Sequence, residues 1–290
     1  VRIGVIGGGA IGLLLASLLK QTGYSPVLYV RTEAQKNEIN EKGILYLPGE
    51  ITSYVYAEHI KDLSQMDIYF ICVKQHDICS VNSRLSGLSG TVIYLQNGMG
   101  HVDMLHNMTE EQTIVLGTCE HGAKKRDQRT VIHTGKGKIN LALYNGNAAL
   151  LTRYKEVLND KRFPVEQVAD WGIMLIDKLM INIVINPITA LFQVKNGELL
   201  TNTHLHKLAK VVCSEACAVL EVNEQQQWKR ITYIIEQTKE NDSSMKEDIA
   251  LGRQSEVEGI LGYVLKKTSH QSSVIHFLYL SIKALEEKRG

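Results

Sequence analysis

The run Gly7-Gly8-Gly9-Ala10-Ile11-Gly12 follows the apolar stretch Ile3 to Ile6 and opens the apolar pattern Leu13 to Leu19. No other feature constrains the fold as much. The order dictates a β-strand, a tight turn and a helix, with the glycines in G-x-G-x-x-G spacing. Gly7 permits the tight turn, Gly9 leaves room for a pyrophosphate against the backbone, and Gly12 lets helix and strand pack closely. The first amides of such a helix, with the positive end of its dipole, suit phosphate oxygens. A lone match is weak, and the ordinary alternative is a glycine-rich turn with no ligand. The strand before and the helix after supply the context the chemistry requires. Arg2 and the apolar run Ile3–Leu19 superficially resemble a signal sequence. Glycine punctuation and short length argue instead for strand, turn and helix.

The rest of the chain divides by composition. Seventeen of 23 glycines precede residue 150. In that half, short β-rich runs alternate with helical patterns, which predicts a parallel α/β sheet. Strands are expected at Arg2–Ile6, Pro26–Val30, Ile68–Val73, Thr91–Leu95 and Thr113–Gly117. Thr130–His133, Lys138–Leu143 and Pro164–Val168 are further candidates, antiparallel ones among them. After Asp170 the pattern predicts helices at about 170–192, 203–222, 227–239, 244–268 and 272–287. The expected fold class is α/β: a Rossmann-type dinucleotide-binding domain over 1–168 and an all-helical domain over 169–290. A net charge of +1 argues against nucleic acid or an anionic membrane as the main partner. Five cysteines without metal-ligand spacing suggest a reducing, cytoplasmic setting and no metal site.

At the cofactor end, Arg31 stands at the end of the second expected strand, about 20 residues after the fingerprint. An NAD enzyme usually carries Asp or Glu there, to bind the ribose 2′-hydroxyl. A guanidinium instead suits a 2′-phosphate, so the expected cofactor is NADP(H). A surface arginine is the alternative, and nearby Glu33 falls where the next helix begins. Lys74 and Asn97-Gly98 follow expected parallel strands, at the ends where ligands bind in open α/β sheets. Asn-Gly is also a common turn pair. The basic run Lys124-Lys125-Arg126 reads as a solvated loop rather than a binding patch.

At the other end, Lys178, Asn182 and Asn186 are spaced four apart in an otherwise apolar segment. Four residues advance a helix by about 400°, so the three form one narrow polar stripe. A helix apolar elsewhere is buried, and a buried ammonium is costly unless paired. The stripe therefore points to a polar cleft, the alternative being a snorkelling lysine with two satisfied core amides. Pro187 is expected to interrupt the helix beside Asn186. A second polar island is Asn241-Asp242-Ser243-Ser244, where Ser244 and Glu247 fit a capping box. Glu256 lies further on, and a surface carboxylate is its generic reading. Together these groups suit a reductase. Hydride addition to a carbonyl carbon leaves an oxyanion that a protonated lysine can both stabilise and protonate.

Taken in order, these motifs resemble the 2-dehydropantoate 2-reductase (ketopantoate reductase) family almost end to end. The fingerprint, Arg31, Val73-Lys74 and Asn97-Gly98-Met99-Gly100 match its cofactor domain. Lys178-Leu179, Asn182, Asn186-Pro187-Ile188-Thr189-Ala190 and Asn196-Gly197-Glu198-Leu199 match its substrate domain. Ser243-Ser244-Met245, Asp248 and Glu256 complete the series. The resemblance implies NADPH-dependent reduction of 2-dehydropantoate to pantoate, toward pantothenate and coenzyme A. It implies Lys178 as proton donor, with Asn97, Asn182, Asn186, Asn196 and Ser244 around the substrate; Asn241, in the polar island with Ser244, is a further candidate for substrate binding. It implies Gly7, Gly8, Gly9, Ala10, Ile11, Gly12, Arg31, Lys74, Asn97, Ala123 and Glu256 around the cofactor. Two departures stand out: Leu261 where the family often has Asn, and no proline turn around Ser272-Ser273-Val274. Two alternatives stay open, a reductase of another 2-keto acid and a non-enzymatic NADP(H) sensor. A homodimer through the helical half is compatible with the sequence.

Overall fold

The computed structural model describes residues 1–105, 112–267 and 274–288. These form two compact units, Val1–Gln96 with Met104–Met174, and Asn97–Asp103 with Leu175–Gly290.

In chain order the first unit contains β1 (Ile3–Ile6), α1 (Ala10–Gln21), β2 (Val27–Val30), α2 (Glu33–Lys42), β3 (Ile44–Leu47) and β4 (Ile51–Ser53). There follow β5 (Tyr56–His59), β6 (Ile68–Ile71), α3 (Ile78–Leu85), β7 (Gly90–Tyr94), β8 (Gln112–Cys119), β9 (Gly122–Lys125), β10 (Thr130–Gly135), β11 (Ile139–Asn145), α4 (Ala148–Leu158) and β12 (Val165–Gln167). Eight strands form one sheet in the order β12-β11-β8-β7-β6-β1-β2-β5. From β5 to β8 every pairing is parallel, and β11 joins β8 antiparallel. The central strands β1 and β6 are buried along their whole length. That is why they read as unbroken apolar runs rather than as alternation. Ile3, Val5, Ile68, Phe70 and Ile93 share one core with Leu14, Leu15 and Leu18 of α1.

A second, four-stranded sheet runs β4-β3-β10-β9. Thr130–His133, a candidate strand in the sequence, belongs here as part of β10, parallel to β3 and antiparallel to β9. The sequence reading lacked β3, β4, β5 and β9. The strand β9, Gly-Ala-Lys-Lys, has no apolar alternation to betray it. Its two lysines are half-buried rather than part of a solvated loop.

The second unit is built from α5 (Trp171–Phe192, which starts in the first), α6 (Glu198–Thr201), α7 (Thr203–Leu220), α8 (Glu224–Gln237), α9 (Ser244–Ala250), a π-helical turn Glu258–Gly262, α10 (Tyr263–Lys267) and α11 (Val274–Glu287). The helix α7 packs against α6, α8, α10 and α11. Its stripe Leu205, Ala209, Val212, Cys213, Ala216 and Cys217 is buried, as are Ile231 and Ile235 of α8 and Ile275, Leu278 and Ile282 of α11. By length and composition α5 would also pass for a membrane span, but most of it is buried inside the protein.

Three expectations are corrected here. The helix over 244–268 is broken: α9 ends at Ala250, Gly252 takes φ +65°, and helical structure resumes near Glu258. Its final residue, 268, and Ser272 and Ser273 lie outside the described residues. Pro187 does not interrupt α5, which continues to Phe192. The proline removes one backbone donor only, while Ile183, Val184, Ile185 and Ile188 around it are fully packed. Finally, Ser243 rather than Ser244 caps α9. Its backbone is extended (φ −71°, ψ 154°) and its hydroxyl accepts from Lys246 N at 3.1 Å.

Candidate active site

The first group of residues surrounds the turn between β1 and α1. Gly7 adopts φ +113°, and a Cβ on Gly12 would collide with the Gly7 carbonyl. Strand and helix therefore meet as closely as the fingerprint requires. A Cβ on Gly9 would meet nothing within 4 Å, so the turn is open on that side. Gly9 is also the N-cap of α1 and brings no side chain to satisfy the first amides. Open space plus uncapped amides fits an anionic phosphate group. Ala10 and Ile11 form the first turn of α1.

Arg31 follows β2, and its side chain is 79% exposed, 3.6 Å from Asp77 Oδ1. Its carbonyl lies 2.8 Å from His59 Nε2, and Thr32 caps α2 by accepting from Gln35 N at 3.3 Å. The backbone of Arg31 is thus held while its guanidinium reaches outward. Glu33 is the first residue of α2 and capping falls to Thr32. Lys74 is half-buried and precedes the turn Gln75–Asp77. Ala123 lies on β9 opposite His133. Beside it, His121 Nδ1 is 3.0 Å from His133 Nε2, and Tyr46 OH is 2.8 Å from His133 Nδ1. Burial and the neighbouring His133 push His121 down to about 4.

The second group lies in the helical unit. Lys178 and Asn182 are half-buried on α5, and Asn186 is 6% exposed. Asp177, one position before the lysine, is bound to α8 through Gln227 Nε2 (2.8 Å) and an ion pair with Arg230. Successive helix positions differ by about 100°, so this anchor sets the rotation of α5 and turns Lys178 to another face. At the far end, Thr189 Oγ1 lies 2.7 Å from Ser243 Oγ and 2.7 Å from Ile185 O. The cap of α9 is thereby tied to the stripe. Asn196 N donates to Asn241 O at 3.1 Å, and Asn196 Nδ2 to Thr238 Oγ1 at 3.0 Å. Asn196 and Asn241 are therefore neighbours, and Asn241 and Ser244 are exposed.

Two amide atoms in this group are buried without a hydrogen-bond partner among the described residues: Asn182 Nδ2 and Asn196 Oδ1. Such an atom costs roughly 1–3 kcal/mol if it stays unmet. A donor and an acceptor in this state have capacity for a polar ligand or an ordered water that reaches them.

Asn97 and Glu256 meet: Asn97 Nδ2 donates to Glu256 Oε2 at 2.7 Å. Gly98 makes this possible. It adopts φ +82°, a Cβ there would collide with the Gly259 carbonyl, and Met99 N donates to that same oxygen at 3.2 Å. Leu261, where the family often has Asn, is fully buried. Sequence reading missed Asp177, Thr189, Gln227 and Arg230 as supports of the site. Only Thr189 stood within a quoted motif. The others act through side-chain contacts between helices distant in sequence.

The comparisons with known proteins agree with this organisation. Residues 3–146 match the model of the family described as ketopantoate reductase PanE/ApbA, and residues 173–284 that of its C-terminal part. A 2-dehydropantoate 2-reductase of Bacillus subtilis is 40% identical over 293 residues, covering 99% of this chain and 98% of the relative. The one from Listeria monocytogenes is 34% identical, covering 99% and 97%. A crystal structure of a probable 2-dehydropantoate 2-reductase from Bacillus subtilis superposes with a TM-score of 0.86 at 38% identity, covering 98% of this chain and all of the other. D-mandelate dehydrogenase, solved with NADH and anilino(oxo)acetate, has a TM-score of 0.88 at 19% identity, a likeness of fold. From the fingerprint turn to the last helix, the chain belongs to the ketopantoate reductase family of oxidoreductases.

Proposed function

We propose that this protein reduces 2-dehydropantoate to pantoate with NADPH as hydride donor. The observation that carries the proposal is the α5 stripe: Lys178 in line with Asn182, whose buried amide nitrogen has no partner among the described residues. The names of relatives matched over nearly the full chain support the same substrate. The residues to hold the cofactor are Gly7–Gly12 at the phosphates, Arg31 at the 2′-phosphate, and Lys74, Asn97, Ala123 and Glu256 further along. When bound, NADPH supplies a hydride to the keto carbon. Lys178 is the general acid. Nζ of its ammonium gives a proton to the carbonyl oxygen as negative charge develops there. Asn182, Asn186 and Asn196 bind the polar oxygens of the substrate, and Asn241 and Ser244 take its exposed end. Glu256 holds the Asn97 amide in place through the 2.7 Å bond. Five free cysteines suit a reducing compartment and a cytoplasmic enzyme.

The test is NADPH oxidation followed at 340 nm against a panel of 2-keto acids. Highest kcat/KM on 2-dehydropantoate is expected. Preference for another 2-keto acid would move the substrate assignment, and no oxidation with any would remove the reductase reading.

A further inference from the structure

The carbonyl of Gly8, at the middle of the fingerprint turn, has two side-chain donors. Gln35 Nε2 reaches it at 2.8 Å from α2, and Lys125 Nζ at 3.0 Å from β9. Gln35 is itself buried, and its Nε2 also donates to Gln128 O at 2.8 Å. Gln128 lies in the turn joining β9 to β10. There Asp127 Oδ1 accepts from Arg129 N at 3.0 Å and Thr130 N at 2.7 Å, so the hairpin that delivers Lys125 is fixed. The small second sheet is thus fastened to the fingerprint turn.

The fastening has a directional consequence. In a trans peptide the C=O of one residue and the N–H of the next point in opposite directions. Two donors holding the Gly8 carbonyl therefore turn the Gly9 N–H the other way. A cation on the carbonyl also polarises the peptide and strengthens that N–H as a donor. Lys125 shares a face of β9 with Ala123, since alternate residues of a strand point the same way.

We propose that Lys125 and Gln35 are positioning residues of the phosphate turn. They fix the Gly8–Gly9 peptide so that its N–H meets the pyrophosphate of a dinucleotide, while the Lys125 ammonium holds the carbonyl on the opposite side of the peptide and polarises it. This rests on the NADPH reading above. It assigns to the basic strand β9 a ligand class, pyrophosphate-bearing nucleotides, and separates its role from that of Arg31 at the 2′-phosphate.

The experiment is a calorimetric titration of three ligands into wild type, Lys125→Met, Lys125→Arg and Gln35→Leu. NADPH carries both phosphate groups, ADP-ribose only the pyrophosphate, and 2′-AMP only the 2′-phosphate. Lys125→Met should weaken NADPH and ADP-ribose by about five- to thirtyfold, the range set by ordering one residue's backbone on binding rather than beforehand, and leave 2′-AMP unchanged. Lys125→Arg should recover most of the affinity, and Gln35→Leu should share the ligand pattern of Lys125→Met. Wild-type affinity in Lys125→Met overturns the proposal. So does an equal loss for all three ligands, which would mean general damage to the fold, or a loss confined to 2′-AMP. Failure of wild type to bind NADPH would instead overturn the cofactor reading beneath it.

Discussion

Gly98→Ala is the substitution whose consequence can be worked most fully from the structure. Gly98 has φ +82°, a conformation that costs an L-residue roughly 1–2 kcal/mol. The added methyl would also strike the carbonyl of Gly259. The struck carbonyl is backbone and the backbone of residue 98 fixes the position of the methyl, and Gly259 belongs to the π-helical turn Glu258–Gly262, so no side-chain rotation relieves the overlap. Moving the two segments apart breaks the 3.2 Å bond from Met99 N to Gly259 O, at about 1 kcal/mol. It also draws Asn97 away from Glu256. The total is about 3 kcal/mol, and for a chain of this size each kcal/mol lowers the melting temperature by about 2–4 °C. Gly87→Ala is the control. Gly87 has φ +84° but nothing within 4 Å of its added Cβ, so it carries the conformational cost without the collision. Thermal melting by circular dichroism should place Gly98→Ala about 6–12 °C below wild type and Gly87→Ala much closer to it. Turnover of Gly98→Ala, measured where it is folded, should fall with loss of the Asn97–Glu256 contact. Equal melting temperatures for the two variants would refute the close approach, and normal turnover would refute the part given to the Asn97–Glu256 bond.

Other perturbations have equally definite outcomes. Arg31→Ala removes an exposed guanidinium and should raise the Michaelis constant for NADPH while leaving that for NADH nearly unchanged; equal losses would exclude the 2′-phosphate role. Ser243→Ala removes the cap of α9 and should cost about 1 kcal/mol in denaturant melts, whereas Ser244→Ala should keep stability and raise the substrate Michaelis constant. The reverse pattern would return the cap to Ser244. His121, held near 4 when folded against an ordinary 6.5, is protonated first in the unfolded chain. Its neutral state is a stabilising condition fully met above pH 6.5 and lost as pH falls toward 4, worth up to about 3 kcal/mol. His121→Phe should therefore flatten the pH dependence of unfolding between pH 6.5 and 4, and an unchanged slope would place the effect in other groups.

What the sequence showed and what it hid have physical causes. The central strands were legible because burial on both faces leaves apolar runs such as Ile68–Ile71. The polar stripe on α5 was legible because helical period is a local property. The strand β9 was not, since its place is fixed by pairing with β10 and by the reach of Lys125 to Gly8, both beyond any local pattern. The break after Ala250 was hidden because Met245, Ile249, Val257, Ile260 and Val264 keep apolar character across it. The cap slipped by one residue because Ser243 and Ser244 are chemically identical. The bond from Lys246 N to Ser243 Oγ, the approach of Thr189 to Ser243 and the extended backbone there select between them.

The central claim is that Lys178 donates the proton. Lys178→Ala should keep the helical circular dichroism spectrum and NADPH affinity, because the phosphate turn lies in the other unit. Its turnover of 2-dehydropantoate should fall by about 10²–10⁴-fold, the range of a lost general acid. Lys178→Arg should not restore the rate, since a guanidinium holds its proton too tightly to donate it. A folded, NADPH-binding Lys178→Ala protein with near-normal turnover would contradict the account and place the acid on another residue.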